Sequence, residues 1–212
     1  MNNTRKKKAK ISTKVIYVFL SILAVIYLLP LLWVIYVSLK DDKTLFVSPW
    51  AMPEHLMIEN YSFAWTAGRL GVATLNSAIV CGVTLILCLL VGSMAAFAIG
   101  RMRWKLSGAM MTYFLTGMMI PVHCILIPVF TRFSKMHLTN SLTGLILPYL
   151  TLSLPITIFI MTGFFQSLPN ELFESACIDG CSIYRSFTHI ALPLSRTGLF
   201  VTGLLGIFGQ LQ

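Results

Sequence analysis

The sequence predicts an all-α membrane protein that crosses the bilayer several times. Of its 212 residues, 57% are hydrophobic and only 11% are charged, against about a quarter charged in an ordinary soluble domain. The hydrophobic residues are concentrated in uncharged runs of about 20 residues or more, the length that an α-helix needs to cross the hydrocarbon core. A transmembrane β-barrel would show runs of about 10 residues with alternating polarity. The composition therefore excludes a soluble globular domain and a disordered chain.

Five apolar runs predict five membrane spans. The first three cover residues 15–39, 72–99 and 106–131, and each is bounded by basic residues. The fourth has its apolar centre at residues 142–165, and the fifth opens at Thr197. Because residues 197–212 would rise only about 24 Å as a helix, less than the core of about 30 Å, we expect the fifth span to be incomplete. The chain is then a fragment or a naturally truncated product.

The distribution of basic residues predicts the orientation. With the N-terminus in the cytoplasm, the inner segments carry 11 Lys and Arg residues and the outer segments carry 5, as the positive-inside rule requires. Residues 1–14 are then a basic cytoplasmic tail, and residues 40–71 form an extracytoplasmic loop. The net charge of +9 is explained by topology and anionic lipid, without a nucleic-acid partner. The basic residues of the inner segments are Arg5, Lys6, Lys7, Lys8, Lys10, Lys14, Arg101, Arg103, Lys105, Arg185 and Arg196. Those of the outer segments are Lys40, Lys43, Arg69, Arg132 and Lys135.

Residues 168–194, between the fourth and fifth spans, are too polar for a span. Asn170 is suited to cap a helix, and Gly180 is suited to end it in the left-handed conformation. Ser182 then caps a second helix, and Pro193 ends it, because the residue before a proline avoids the α region. The two helices have apolar residues at helical spacing: Leu172, Phe173, Ala176 and Cys177 in the first, and Ile183, Tyr184, Phe187, Ile190 and Ala191 in the second.

A short amphipathic pair of helices between two spans is compatible with three roles. It docks on a partner in the cytoplasm, it packs under its own helical bundle, or it lies on the lipid surface. The residue pattern alone leaves all three open.

This segment also carries a motif that resembles a known family. Its residues match six of the seven defined positions of the E-A-A-x3-G-x9-I-x-L-P signature of importer-type ABC permeases. The departure is a small serine where alanine is usual. Residues 95–104 and 120–128 resemble two successive spans of the conserved permease core. Residues 140–172 resemble the sugar-importer branch, in particular the shorter, maltose-type subunit. The signature residues are Glu174, Ser175, Ala176, Gly180, Ile190, Leu192 and Pro193.

The resemblance implies a type I ABC importer permease fold, with its core at residues 72–212 and a sixth span that this chain lacks. It implies a permease subunit in the plasma or inner membrane of a prokaryote, which forms the path for a sugar or oligosaccharide with a second permease. Its other partners would be two ATP-binding-cassette ATPases and an extracytoplasmic solute-binding protein. Residues 171–193 would be the coupling helix, whose signature residues dock in a groove of the ATPase. ATP would be hydrolysed by the partners, so that this chain is not an enzyme and binds no cofactor.

Other functions remain open at this point. The cargo could be an amino acid, a phosphate or a metal instead of a sugar, or the chain could be an inactive truncated permease. An ion-coupled carrier would require carboxylates at mid-membrane, whereas none of the seven acidic residues lies in a predicted span. A membrane enzyme would require convergent catalytic groups, for which the only cluster is Glu174, Asp179 and His189.

Few polar residues suggest a metal site or a substrate site, either in the spans or in the segment at residues 168–194. Cys177, Cys181 and His189 provide only three ligands where a closed zinc site needs four, so we expect reduced cysteines and no metal.

His123 is either functional, as ionisable residues in a membrane often are, or neutral with a backbone partner. No substrate-binding residue is assigned. The positions that either face a shared cavity or serve helix packing are Asn76, Thr116, His123, Tyr149 and Thr151.

Overall fold

The computed structural model describes residues 2–53, 55–102 and 104–210, with side chains from residue 13 onward. Arg103 and the side chains of the basic residues before Lys14, which contribute to the predicted orientation, lie outside the described residues. The described residues form helices and connecting loops, without a β-strand. The all-α prediction is therefore confirmed. The chain divides into two compact units, Met1–Val72 and Ala73–Gln212.

The first unit contains a long apolar helix followed by a loop with two short helices. Helix α1 has a part, Thr13–Ser38, that is long and apolar enough to cross a membrane. Asn60 fixes the loop to the end of α1, since its Nδ2 donates to the carbonyls of Ser38 at 3.0 Å and Lys40 at 2.9 Å. Lys40 in turn is buried and donates to the carbonyl of Pro49 at 2.6 Å. The helices are α1 (Asn2–Ser38), α2 (Asp42–Val47) and α3 (Glu59–Thr66).

The second unit is built on two long helices that run side by side in the same direction, since Cys88 meets Thr157 and Arg101 meets Phe165. Helices α4 (Leu70–Arg101) and α7 (Leu142–Ser167) each meet the length and composition of a span, in agreement with the runs at 72–99 and 142–165. They pack through small residues, which allow close approach of helices in membranes. The Sγ of Cys88 lies 3.1 Å from Oγ1 of Thr157 at this interface. The remaining helices are α5 (Ser107–Met118), α6 (Val122–Lys135), α8 (Asn170–Ile178), α9 (Ile183–Leu194) and α10 (Arg196–Gln210).

The third predicted span is not one continuous helix. Helices α5 and α6 meet at an angle of 91°, so the apolar run at residues 106–131 forms two helices joined by a sharp bend. Pro121 precedes α6 with an extended backbone, φ −61° and ψ 128°. Proline lacks the N–H that an α-helix uses, and it disfavours the α region for the residue before it. The two pieces together still have the length and composition of one bent span.

The second short helix does not end at Pro193, contrary to the prediction. Helix α9 contains a π-helical turn, Ser186–Ala191, and continues through Pro193 to Leu194. The turn changes the hydrogen-bonding register, since the N–H of Leu192 donates to Phe187, five residues back. The chain bends at Ser195, where α9 and α10 meet at 75°. With α9 and α10 counted as a bent pair, the described helices provide up to five spans.

Candidate functional site

The α8–α9 hairpin (Asn170–Leu194) has a sharp turn at Gly180. The residue has φ +72°, and its N–H donates to the carbonyl of Cys177 at 3.1 Å. The next N–H, of Cys181, donates to Ala176 at 2.8 Å. These two bonds define a Schellman motif, which ends a helix on a left-handed residue. The predicted glycine turn is therefore present.

The two helices of the hairpin begin differently from one another. The Oγ of Ser182 accepts from the N–H of Arg185 at 3.4 Å, as predicted for a capping residue. Asn170 is not the cap of α8, contrary to the prediction: Pro169 takes that position, without a side-chain bond. The Oδ1 of Asn170 accepts instead from Nη1 of Arg101 at 2.5 Å. A charged donor makes a stronger bond than a neutral backbone amide, which explains the exchange of partners.

Arg101, the last residue of α4, anchors the start of the hairpin. Its Nε donates to the carbonyl of Phe165 at 2.7 Å, and its Nη2 donates to the carbonyl of Leu168. The guanidinium also lies over the ring of Phe173, 4.7 Å from the centroid, a cation–π arrangement. The sequence analysis used Arg101 only as a topological charge. No sequence pattern indicates this role, because its partners lie more than 60 residues away and are brought near by helix packing.

An aromatic cluster attaches the inner face of the hairpin to the long helices. The ring of Phe97 in α4 lies 5.7 Å from Phe165, 6.2 Å from Phe173 and 5.2 Å from Phe187, centroid to centroid. Phe97 and Phe165 are buried, and so is Ala191 in α9. These distances are typical of stabilising aromatic pairs. The inner face of the hairpin is therefore packed under its own bundle, which was one of the three roles that the sequence left open.

The outer face of the hairpin is different, because it presents large apolar side chains near the turn. Ile178 is 86% exposed and Tyr184 is 76% exposed. They lie on either side of Gly180 in the sequence, one on each helix. Exposed apolar groups of this kind, when grouped, are typical of interaction surfaces.

The seven signature residues divide between these two faces. Glu174, Ser175, Gly180 and Pro193 are exposed, and Ile190 is half-buried. Ala176 is buried, and Leu192 packs against the core cluster. The signature therefore contributes to both the attachment of the hairpin and its outer surface. The exposed apolar residues at the turn are not part of the signature. The sequence analysis placed Tyr184 on an apolar face without assigning it a role, and it did not single out Ile178.

A cavity of about 350 Å³ lies at the hairpin. Arg101 and Glu174 contribute opposite charges to its wall, and Cys177 and Cys181 contribute free thiols. The remaining lining residues are Phe97, Asn170, Phe173, Ile183 and Ser186.

The polar residues predicted within the spans are only partly brought together. Asn76 and Tyr149 line the same two cavities. The hydroxyls of Thr116 and Thr151 donate to carbonyls of their own helices at 2.8 Å, which is ordinary helix packing. His123 is exposed and lines neither cavity, and its side chain makes no hydrogen bond in the part of the chain that the structure describes. Its expected backbone partner is therefore not seen there.

Comparisons with known proteins agree with this architecture. A family described as the binding-protein-dependent transport system inner membrane component matches residues 88–210. The diacetylchitobiose uptake system permease protein of Streptomyces coelicolor is 36% identical, over 88% of this chain and 62% of the relative. A putative ABC transporter permease protein of a Caldicellulosiruptor species is 36% identical, over 89% and 68%. The trehalose/maltose transport system permease protein of Thermococcus litoralis is 32% identical, over 87% and 66%.

The fold is also found in a solved structure. The crystal structure of a bacterial ABC transporter involved in the import of the acidic polysaccharide alginate contains a chain with a TM-score of 0.78 and 17% identity. The match covers 96% of this chain and 71% of that chain. The two chains therefore share the importer permease fold. This chain spans between 62% and 68% of the length of the curated relatives named above.

Proposed function

The chain belongs to the family of inner membrane components of binding-protein-dependent transport systems, and we propose that it acts as a permease subunit of an ATP-binding-cassette importer for a sugar or oligosaccharide. The names of two relatives support the cargo, since they describe uptake of diacetylchitobiose and transport of trehalose or maltose. These relatives are permeases, not enzymes. The chain is a multi-pass membrane protein, and we propose the plasma or inner membrane of a prokaryote as its location, with the N-terminus in the cytoplasm.

The proposed assembly contains four kinds of subunit. A second permease forms the pathway with this chain, two ATP-binding-cassette ATPases lie in the cytoplasm, and a solute-binding protein delivers the sugar from outside. ATP is bound and hydrolysed by the ATPases, so this chain contributes no cofactor site. The long apolar helices of this chain also contact lipid directly. They can do so because an α-helix satisfies its own backbone hydrogen bonds in the bilayer.

The observation that carries the proposal is the division of the hairpin into a fixed inner face and an exposed outer face. Arg101 and the Phe97 cluster fix the inner face to α4 and α7. Ile178 and Tyr184 remain exposed near the turn. A surface element that is firmly attached to two membrane helices is suited to transmit a displacement to them as a rigid body.

We propose that the outer face of the hairpin docks on an ATPase subunit. Glu174 would meet a basic residue of the ATPase, and the small residues Ser175 and Ala176 would keep α8 narrow enough to enter a groove. Gly180 would allow the sharp turn that joins α8 to α9. Closure of the ATPases on ATP would then favour one of two arrangements of the permease pair, inward-facing or outward-facing, by differential affinity for the two states.

The test is to place a charge on the outer face in the complete transporter. We expect Ile178→Asp and Tyr184→Asp each to reduce the amount of ATPase subunit that co-purifies with the permease in mild detergent, and to abolish ATP-dependent sugar uptake. Burying a charge without a partner opposes association. The control is Phe46→Asp. Phe46 lies in α2, outside the hairpin, and its exposed fraction of 82% is between those of Tyr184 and Ile178. Normal co-purification in both hairpin variants would refute the proposal.

A further inference from the structure

The loop of the first unit turns back alongside the end of α1. The ring of Trp50 lies 4.1 Å from the ring of Trp33, centroid to centroid. Trp50 also borders a groove of about 320 Å³, whose walls are formed by side chains of the loop and of α1. The N–H of Met57 then donates to the carbonyl of Leu39 at 2.9 Å, so the chain has returned to the end of the helix. The residues that line the groove are Leu29, Leu32, Trp33, Tyr36, Trp50 and Met52.

The length of α1 gives the level in the membrane at which this segment lies. The part Thr13–Ser38 has 26 residues and rises about 39 Å, against a hydrocarbon core of about 30 Å. When this part is centred in the bilayer, the core ends about 4–5 Å before each of its ends. Trp33 precedes Ser38 by about 8 Å and Leu29 precedes it by about 14 Å. The segment at residues 50–52, which lies beside them, therefore reaches the level of the hydrocarbon.

Carbonyls of this segment bond to side chains at the end of α1. The Nζ of Lys40 donates to the carbonyl of Pro49 at 2.6 Å, and the hydroxyl of Tyr36 donates to the carbonyl of Ala51 at 2.6 Å. Pro49 and Pro53 have no N–H that would need a partner. Irregular backbone is costly in lipid because its polar groups lack water as a partner. These bonds and prolines lower that cost for this segment.

The side chains of the segment are apolar and are not covered by the chain. Trp50 is 80% exposed and Met52 is 85% exposed, and the six residues that line the groove are all aliphatic, aromatic or methionine. Tryptophan is enriched where membranes meet water. A water-soluble protein does not reach the level of the hydrocarbon, whereas lipid already surrounds a span there. The surface of the segment is therefore continuous with the lipid-facing surface of α1.

We propose that residues 49–52 insert into the lipid leaflet beside α1, and that an acyl chain of a phospholipid fills the groove between the segment and the helix. In the proposed orientation this is the outer leaflet. The inserted segment attaches the loop to the membrane and fixes the depth of α1 through the contact between Trp33 and Trp50. The proposal requires that α1 crosses the membrane, and it is independent of the solute that the transporter carries.

A photo-crosslinker in the segment identifies what covers it in the complete transporter. Met52→p-benzoylphenylalanine places a benzophenone there, which on irradiation forms a bond to a C–H group of a neighbouring molecule. The transporter is reconstituted with its solute-binding protein in vesicles of phosphatidylethanolamine and phosphatidylglycerol, irradiated, and analysed by mass spectrometry of its subunits. We expect a permease adduct whose added mass is that of one phospholipid.

The hairpin provides a matched control for this experiment. Ile178 is 86% exposed, as Met52 nearly is, but it lies on the outer face of the hairpin. We expect Ile178→p-benzoylphenylalanine to give no phospholipid adduct. A crosslink from Ile178 to the ATPase would test the proposed docking in the same vesicles, so that failure of the docking and failure of the lipid contact are distinguished.

Substitutions at Trp50 test whether the contact depends on an apolar side chain. A carboxylate is costly in the apolar layer, so Trp50→Asp should lower the phospholipid adduct at Met52 to the level of the hairpin control. Trp50→Leu keeps this side chain apolar and should retain the adduct. The pair separates the effect of the charge from the loss of the ring contact with Trp33. Each yield is divided by the amount of permease in the vesicles.

The outcomes decide between lipid, protein and water as the surroundings of the segment. A crosslink from Met52 to the second permease or to the solute-binding protein, without a phospholipid adduct, overturns the proposal. The absence of any adduct at Met52 also overturns it, since the segment then lies in water. Equal phospholipid adducts at Met52 and Ile178, or an unchanged adduct in Trp50→Asp, have the same consequence because the contact is then not specific to an inserted segment.

Discussion

Arg101 and Asn170 lie 69 residues apart in the sequence, and a hydrogen bond of 2.5 Å joins Nη1 of the arginine to Oδ1 of the asparagine. The same guanidinium donates to the carbonyls of Phe165 and Leu168, so one side chain of α4 holds the corner between α7 and α8. Charge-assisted bonds of this kind are about twice as strong as neutral ones. The corner between α7 and α8 therefore cannot separate from the end of α4 without breaking all three bonds.

We expect Arg101→Lys to loosen the start of α8. A lysine ammonium is a point charge and cannot satisfy three acceptors in the planar geometry of a guanidinium. The loss of two bonds should raise the population of locally opened α8 by about 30-fold, for about 2 kcal/mol. Hydrogen exchange of the α8 amides measures this change. Asn170→Ala removes only one of the bonds and should have a smaller effect. Equal exchange in Arg101→Lys and the native protein would contradict the anchoring role.

Two substitutions at Gly180, to alanine and to proline, should disturb the turn to different degrees. Alanine at φ +72° costs about 1–2 kcal/mol in the left-handed conformation, and no neighbouring atom lies within 4 Å of its Cβ, so the cost is confined to the backbone. Proline cannot adopt this φ, and it also removes the N–H that bonds to Cys177, for a cost of about 3 kcal/mol or more.

We therefore expect Gly180→Ala to lower sugar uptake modestly and Gly180→Pro to abolish it, with normal membrane insertion of both. ATP hydrolysis by the complex should continue in the proline variant, so that hydrolysis and uptake are uncoupled. The measurements are uptake and ATPase rate in the same vesicles. Native uptake in Gly180→Pro would show that the geometry of the turn is unimportant.

The sequence predicted those parts of the fold that depend on local chemistry. Apolar length predicted α4 and α7 to within a few residues, and the position of Gly180 predicted the end of α8. Arg101 could not be recognised, because its role arises only when α4 packs against α7. Pro193 was misjudged because the rule for proline assumes an α-helical register, whereas a π-helical turn precedes it.

The polar residues Asn76, Tyr149 and Gln210 line one cavity, and the sequence predicted this grouping only in part. Asn76 and Tyr149 could be picked out as unusual within apolar runs, but not as neighbours, since 73 positions separate residues 76 and 149. Gln210 was missed because it falls at the end of an apolar run, where a polar residue is ordinary. Only the packing of three helices places it in a cavity.

Helix α10 is held by a close approach at Gly198. A Cβ at this position would lie 2.6 Å from Cγ of Phe164, which is too close for any real contact. Because the ring is packed, Gly198→Ala should destabilise the protein by about 1–3 kcal/mol. Thermal unfolding in detergent measures this as a lower Tm. Gly163→Ala is the matched control, since its Cβ would meet no atom within 4 Å; the two variants should not share the same Tm.

Ser175, the departure from the family signature, should tolerate the usual alanine. Its hydroxyl donates to the carbonyl of Glu171 in the same helix at 2.6 Å, and the side chain is exposed. Ser175→Ala loses this local bond but gains about 0.5 kcal/mol in helix propensity, so uptake and ATPase co-purification should remain at native levels. A marked loss of uptake would mean that the hydroxyl itself contacts the partner.

The orientation of the chain can be tested with the native thiol on the hairpin. Cys177 is exposed, and the 11-to-5 distribution of basic residues predicts that the hairpin lies in the cytoplasm. A membrane-impermeant maleimide should therefore label Cys177 in inside-out vesicles and not in right-side-out vesicles. A cysteine introduced by Phe46→Cys, in the loop expected outside, should show the opposite pattern. Labelling of Cys177 from outside would reverse the topology, and since ATP is supplied in the cytoplasm, it would also remove the hairpin from the reach of any ATPase.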